Sequence, residues 1–168
     1  MSGIGGRPLS CVFVTVFLVR HATAGTRNHA DPKDHERHLD ENGRHQASML
    51  IDLLADAKIT WIASSPSPRC TETVEPLAAA RSLEVKPREA LHESSDIDDA
   101  WDLLEKAARR KGDVVLCSHG DIIPDLIRRA QLRGMDVPGK SGCSKGSVWA
   151  LEWDTDRFVR GTYTPVKP

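Results

Sequence analysis

The sequence has no surplus of either charge: 23 lysines and arginines stand against 24 acids, a formal net charge of −1 over 168 residues. Nucleic-acid polymers and anionic membrane surfaces require a broad basic face, so neither is expected as a partner, although a local basic pocket remains open. Cysteines are few and dispersed (Cys11, Cys70, Cys117, Cys143), with no C-x-x-C pair. That excludes the usual zinc knuckle and disulfide framework and reads as reduced thiols in a cytoplasmic protein. No apolar run reaches the roughly 20 residues that span a bilayer. The stretch "CVFVTVFLV" behind Arg7 has the outline of a signal peptide, yet no small-x-small cleavage site separates it from Arg20-His21. It is expected to be the first strand of the fold. Internal repeats, low-complexity tracts and linker-like segments are missing too. Residues 1–168 therefore read as a single domain with a real core, and nothing fixes the oligomeric state beyond monomer or weak dimer.

What is present alternates between strand and helix. After the first strand and the polar loop "TAGTRNHADPKDHERHL", Asp40 is placed to cap a helix with Ala47, Leu50, Ile51 and Leu54 at helical spacing. "ITWIASS" reads as a strand, "PSPRCTETVEPLAAARS" as a helix facing Val74, Leu77 and Ala78 inward, and "LEVKP" as a third strand. "SSDIDDAWDLLEKAARRKG" has Ser or Asp at its cap, Ile97, Ala100, Trp101, Leu104 and Ala108 inward, and Gly112 at its stop. "DVVLCSHG" is a near-continuous apolar strand, expected at the sheet centre. "DIIPDLIRRA" is a helix that tolerates Pro124 in its first turn, with Ile123, Leu126, Ile127 and Ala130 inward. A hairpin about Asp154-Thr155-Asp156 closes the chain. The order predicts an α/β fold, three-layered α/β/α with a mostly parallel central sheet.

In such sheets ligands sit at the carboxyl ends of the strands. Three of those ends carry residues ill-suited to a core: Arg20-His21, Ser64 to Arg69, and Ser118-His119-Gly120. Arg20 and Arg69 can each present paired N–H donors to phosphate oxygens. Helix N-termini behind Ser65 and Gly120 add backbone donors. A neutral imidazole is a competent nucleophile toward phosphorus, and the cations stabilise charge growing on the equatorial oxygens. A single strand-end histidine is usually a surface residue; two of them with two arginines point to a phosphoryl site.

These residues carry a resemblance. "LVRHATAG" resembles the "RHG" signature of the histidine phosphatase superfamily, the phosphoglycerate mutase-like proteins. "ASSPSPRCTET" resembles the family's Ser-Ser-Pro-x-x-Arg-x-x-x-Thr segment, and "CSHGD" its second-histidine segment. "RHLDENGRHQA" is similar to the stretch before the first helix in the small SixA-like branch. "IIPDLIRRAQLRGMDVPGKSGCSKGSVWALE" is similar to the phosphatase domain fused behind Nudix hydrolase domains in some bacterial proteins, a domain expected to stand alone here. The resemblance implies a phosphohistidine-forming nucleophile at His21, and phosphoryl binding by Arg20, Arg69 and His119 beside Gly120. It implies a proton-donating glutamate at Glu93 and no metal or cofactor. Ala22 stands in place of the glycine after the nucleophile. Arg27 occupies the position of a phosphate-contacting asparagine, with Asn28 one step later. Asp121, directly after His119-Gly120, is the second choice for the general acid, as in the acid-phosphatase branch.

The implied activity is hydrolysis of phosphate from a small molecule or nucleotide through a phosphohistidine. The alternatives are a protein phosphohistidine phosphatase, a phosphoglycerate-type mutase and a catalytically idle phosphate-binding module. The short segment between Glu93 and Gly112 leaves little to cover a bisphosphorylated intermediate, which favours the phosphatase. His29, His35, His38 and His45 fit no zinc spacing and read as a solvated loop. Cys70 and Cys117 read as packing residues, as do Trp101, Trp149 and Trp153. Lys33, Arg37, Lys140 and Lys145 lie in loops able to reach the rim, and Lys145 is the one expected to hold a second phosphate.

Overall fold

The computed structural model describes residues 13–167; Cys11, and with it the front of the apolar stretch, lies outside the described residues. Six strands, β1 (Val14–Arg20), β2 (Ile59–Ser64), β3 (Val85–Pro87), β4 (Asp113–Ser118), β5 (Val148–Asp154) and β6 (Arg157–Thr164), alternate with four helices. The helices are α1 (Glu41–Leu53), α2 (Pro68–Ala80), α3 (Ile97–Ala108) and α4 (Ile122–Leu132). The strands form one sheet in the order β3-β2-β4-β1-β5-β6. β3, β2, β4 and β1 run parallel, and β5 and β6 join antiparallel on the β1 side.

Strand alternation divides the core into two faces. On β4, Val114 and Leu116 pack with α3 and α4, against Trp101, Leu104, Leu126 and Ile127. Val115 and Cys117 pack with α1 and α2, against Leu50, Val74 and Leu77. Both faces of β4 are covered, as its unbroken apolar run requires, and the architecture is three-layered α/β/α. Ile51 is half-buried rather than a core residue, while the inward positions read for α2 and α3 fall within the observed helices, and Asp96 is the cap of α3. Among the described residues no helix is long and apolar enough to cross a membrane.

Local chemistry fixes where the elements start. Asp40 caps α1 by accepting from the Gly43 N–H at 2.8 Å, and its other oxygen accepts from Gly25 N–H at 2.9 Å. One carboxylate thus joins the helix start to the loop leaving β1, and these bonds hold it below the usual carboxylate range. Asp96 caps α3 through the Asp98 N–H at 2.7 Å. Asp121 occupies the cap position of α4 but spends its carboxylate elsewhere.

Gly43 marks where α1 meets the β1 loop: a Cβ there would lie 2.0 Å from the Thr23 carbonyl oxygen. In an open helix Gly→Ala gains about 1 kcal/mol. Gly43→Ala is expected to reverse that sign and destabilise the protein by about 2 kcal/mol or more, measured by urea denaturation. Unchanged or raised stability would place α1 farther from Thr23.

Candidate active site

The three strand ends flagged in the sequence converge on one cavity of about 430 Å³. Its walls include Arg20 and His21 from the end of β1, Arg69 from the first turn of α2, and His119 and Gly120 after β4. Glu93, Asp121 and Lys145 also line it. β1 and β4 are paired in parallel up to Arg20 opposite Ser118, and the His21 N–H continues the ladder to the Ser118 carbonyl at 3.0 Å. Sheet register alone therefore sets the two histidines side by side, with ring centroids 5.4 Å apart and edge to face.

Both imidazoles are almost wholly buried. Burial and the charge of Arg69 hold His21 down to about 4 and His119 down to about 2, so both rings are neutral near pH 7. His21 Nδ1–H donates to its neighbour, the Ala22 carbonyl, at 2.9 Å. This leaves the Nε2 lone pair unengaged, the state a nucleophilic imidazole needs. Ala22 is held in turn, its N–H donating to Thr73 Oγ1 at 2.9 Å.

The arginines supply the opposite character. Arg69 is 2% exposed and donates to the His35 carbonyl at 3.2 Å and to His119 Nδ1 at 3.3 Å, with Glu93 Oε2 at 3.1 Å. Arg20 donates to the Cys143 carbonyl at 2.5 Å. The Nε atoms of both arginines are buried without a hydrogen-bond partner, a costly state for a charged donor unless an incoming anion meets it. Gly120 packs flat on Arg20, where a Cβ would lie 2.7 Å from the guanidinium carbon. Glycine here is a requirement of close approach.

Of the other flagged residues, Arg27 reaches Glu93 Oε2 at 3.8 Å and lines the cavity. Asn28 does not line it: its side chain accepts from the Ala30 N–H at 3.1 Å within the loop. Arg37 lines the rim, braced on the Ala24 carbonyl at 2.6 Å, while Lys33 and Lys140 do not. Lys145 lines it, and burial together with the neighbouring Arg20 lowers its ammonium from the usual lysine range. Asp121 accepts from the Ser94 N–H at 2.8 Å and so pins the loop that carries Glu93. Among the described residues no three His, Cys, Asp or Glu side chains converge as metal ligands; His38 pairs with Glu72 and His35 with Glu36. Cys70 and Cys117 are both buried, and burial pushes the Cys117 thiol up.

Sequence reasoning missed Gln46. It is buried, accepts from the Thr23 N–H and hydroxyl at 3.0 and 2.8 Å, and donates to the Lys145 carbonyl at 3.1 Å. It thereby ties the loop after His21 to the loop that presents Lys145. The only signal was a polar side chain on the inward face of α1.

Residues 16–97 match the histidine phosphatase superfamily (branch 1). An 8-oxo-(d)GTP phosphatase of Mycolicibacterium smegmatis is 35% identical over 152 residues, covering 89% of this chain and 47% of the relative; the chain thus spans about half that relative's length. Among solved structures, the protein histidine phosphatase SixA complexed with tungstate aligns with a TM-score of 0.69 at 18% identity, over 92% of this chain and 96% of that one. A mycobacterial glucosyl-3-phosphoglycerate phosphatase complexed with VO3 aligns with a TM-score of 0.68 at 17% identity, over 92% and 99%. At these identities the two structures speak for the fold.

The buried imidazoles make the fold acid-sensitive. Both have folded values below the ordinary 6.5, so the unfolded chain takes up protons that the folded one refuses. Their contribution is complete well above pH 6.5 and is lost progressively as the pH falls toward 4 for His21 and toward 2 for His119. Stability is expected to drop by about 3–4 kcal/mol between pH 7 and pH 5, and His21→Ala should remove roughly half of that drop. Denaturant midpoints at the two pH values measure it, and identical midpoints would overturn the assignment.

Proposed function

The chain carries a histidine phosphatase superfamily domain, and on that premise we propose that it hydrolyses phosphate from a small phosphorylated molecule or nucleotide through a phosphohistidine on His21. The observation that carries this reading is the neutral His21, with its Nε2 unengaged, beside two arginines whose buried Nε groups lack partners. A phosphoryl group supplies what both lack. Its oxygens take the N–H groups of Arg20 and Arg69 while its phosphorus faces Nε2. In the first step Nε2 forms a bond to phosphorus, the P–O bond to the leaving group breaks, and Glu93 gives its proton to the departing oxygen. In the second, water attacks the phosphohistidine, Glu93 takes back a proton, and inorganic phosphate leaves with His21 restored.

Glu93 is favoured over Asp121 for the proton because Glu93 Oε2 reaches Arg69, at 3.1 Å, on the phosphoryl side of the cavity. The Asp121 carboxylate is engaged by the Ser94 N–H. Asp121 is better suited to holding the Glu93 loop, whose Ser94 sits at φ +63°.

For the substrate, the cavity carries Arg20, Arg27, Arg37, Arg69 and Lys145 against Glu93 and Asp121. That excess exceeds what one phosphoryl group neutralises. The rim cations Arg27, Arg37 and Lys145 favour a substrate with further phosphates, and a nucleoside polyphosphate fits this charge. The relative named an 8-oxo-(d)GTP phosphatase supports the same class.

His21→Ala is expected to abolish turnover of p-nitrophenyl phosphate while the fold survives. Wild type quenched during turnover of labelled substrate should carry acid-labile, alkali-stable label, and turnover by the alanine variant would remove His21 from the role. Glu93→Gln should slow hydrolysis of alkyl or sugar phosphates by about 10²–10⁴-fold and that of p-nitrophenyl phosphate far less. If Asp121→Asn alone shows this dependence on the leaving group, the acid is Asp121. Lys145→Ala should raise KM for a nucleoside diphosphate by about 3–10-fold and leave a simple monoester nearly unchanged, with the gap closing at high salt. A phosphohistidine peptide as the only good substrate, indifferent to Lys145, would instead place the protein with the signalling phosphatases.

A further inference from the structure

His119 meets the cavity with one edge of its ring and the protein interior with the other. On the cavity side, Nδ1 lies 3.3 Å from Arg69 Nη2 and 4.0 Å from Glu93 Oε2. On the interior side, Nε2 lies 2.8 Å from Ser65 Oγ and 3.5 Å from Cys70 Sγ. Guanidinium can only donate, so the Nδ1 that it contacts is the unprotonated nitrogen and the ring proton sits on Nε2. The Nε2–H then needs an acceptor. A thiol is a poor one, and the Ser65 hydroxyl is the close one.

We propose that Ser65 is the positioning residue of the second histidine: its hydroxyl holds Nε2–H and thereby fixes both the tautomer and the ring edge that His119 turns toward the phosphoryl group. The inference rests on the phosphatase reading given above. Ser65 is itself fully buried and braced, with the Ser67 N–H reaching its oxygen at 3.3 Å and the Ser67 hydroxyl 3.4 Å away. Its own N–H is held by the Cys117 carbonyl at 2.9 Å, on the strand that also carries Ser118 into His119. The hydroxyl therefore has a fixed place relative to the ring. The Ser65 hydroxyl directs its own hydrogen toward Ser67 Oγ, which leaves its oxygen as an acceptor for Nε2–H and favours that tautomer over the one protonated on Nδ1. Alanine offers no acceptor, and the ring is then free to turn over or to shift its proton to Nδ1.

The test reads the tautomer directly. Imidazole 15N shifts of the full chain at pH 7 are expected to show His119 as the neutral Nε2–H form, with Nδ1 as the nitrogen that moves when orthovanadate binds. Ser65→Ala should populate the Nδ1–H form and weaken orthovanadate binding by about 10–100-fold. In the same variant kcat for p-nitrophenyl phosphate should fall while KM changes little, and Ser65→Thr should restore both. A merely structural role would lower Tm without moving the tautomer. If Ser65→Ala does not fold, the wild-type spectrum and Ser65→Thr still decide the matter. An Nδ1–H tautomer in wild type, or a Ser65→Ala variant with wild-type shifts and vanadate affinity, overturns the proposal. A chain with the Nε2–H tautomer and vanadate binding but no turnover would overturn the phosphatase reading and leave the role of Ser65 standing.

Discussion

Arg69 is a cation held 2% exposed in a protein of this size, and most of what surrounds the site follows from making that tolerable. Taking a guanidinium out of water costs several kcal/mol unless charge and hydrogen bonds replace the solvent. Here the replacement is partial: one carboxylate from Glu93, one backbone carbonyl from His35 and one imidazole nitrogen from His119. The Nε remains without a partner, as does that of Arg20. The cavity thus carries unmet demand for acceptor oxygens, which a tetrahedral oxyanion would help to meet on the proposed reading.

Burial first, and the arginine field second, account for the histidines. Burial disfavours a proton on either imidazole, and the charges of Arg69 and Arg20 push the same way. Neutrality is what a nucleophile requires, so on the proposed reading the arginines that would bind the phosphoryl group also help keep His21 in that state. This arrangement relies on rigid placement. The parallel register of β1 and β4 sets the two rings, Gly120 lets Arg20 lie against the backbone, and Asp121 and Gln46 tie down the loops that bring Glu93 and Lys145.

How much of this could be read from the residues divides along physical lines. Strand ends, helix caps and inward faces follow from local periodicity and from side-chain chemistry acting within a few residues. Asp40 capping α1 and the burial of Val74, Leu77 and Ala78 are of that kind. The convergence of Arg20, Arg69 and His119 also follows, because a parallel sheet puts all its strand ends on one edge. Asn28 went the other way: its side chain is consumed by a turn with Ala30, a competition that spacing does not reveal. Gln46 and Ser65 gain their partners only across the chain, the Lys145 carbonyl in one case and the His119 ring in the other. A single polar residue in an apolar pattern signals that a partner exists without saying which.

The division between chemistry and specificity in this site is spatial as well. The groups proposed to face the phosphorus, Arg20, His21 and His119 with Arg69 beside them, stand on the ends of β1 and β4 and the first turn of α2. Arg27, Arg37 and Lys145 stand on loops held by separate anchors: Asp34 and the Ala24 carbonyl for Arg37, Gln46 for Lys145. On the proposed reading, changing a rim loop would alter which substrate is favoured and leave the reacting atoms where they are. Changing a strand end would disturb both. The fold itself is shared with solved structures at 15–21% identity. On the proposed reading, the substrate preference of this chain resides in the loop cations rather than in the two histidines.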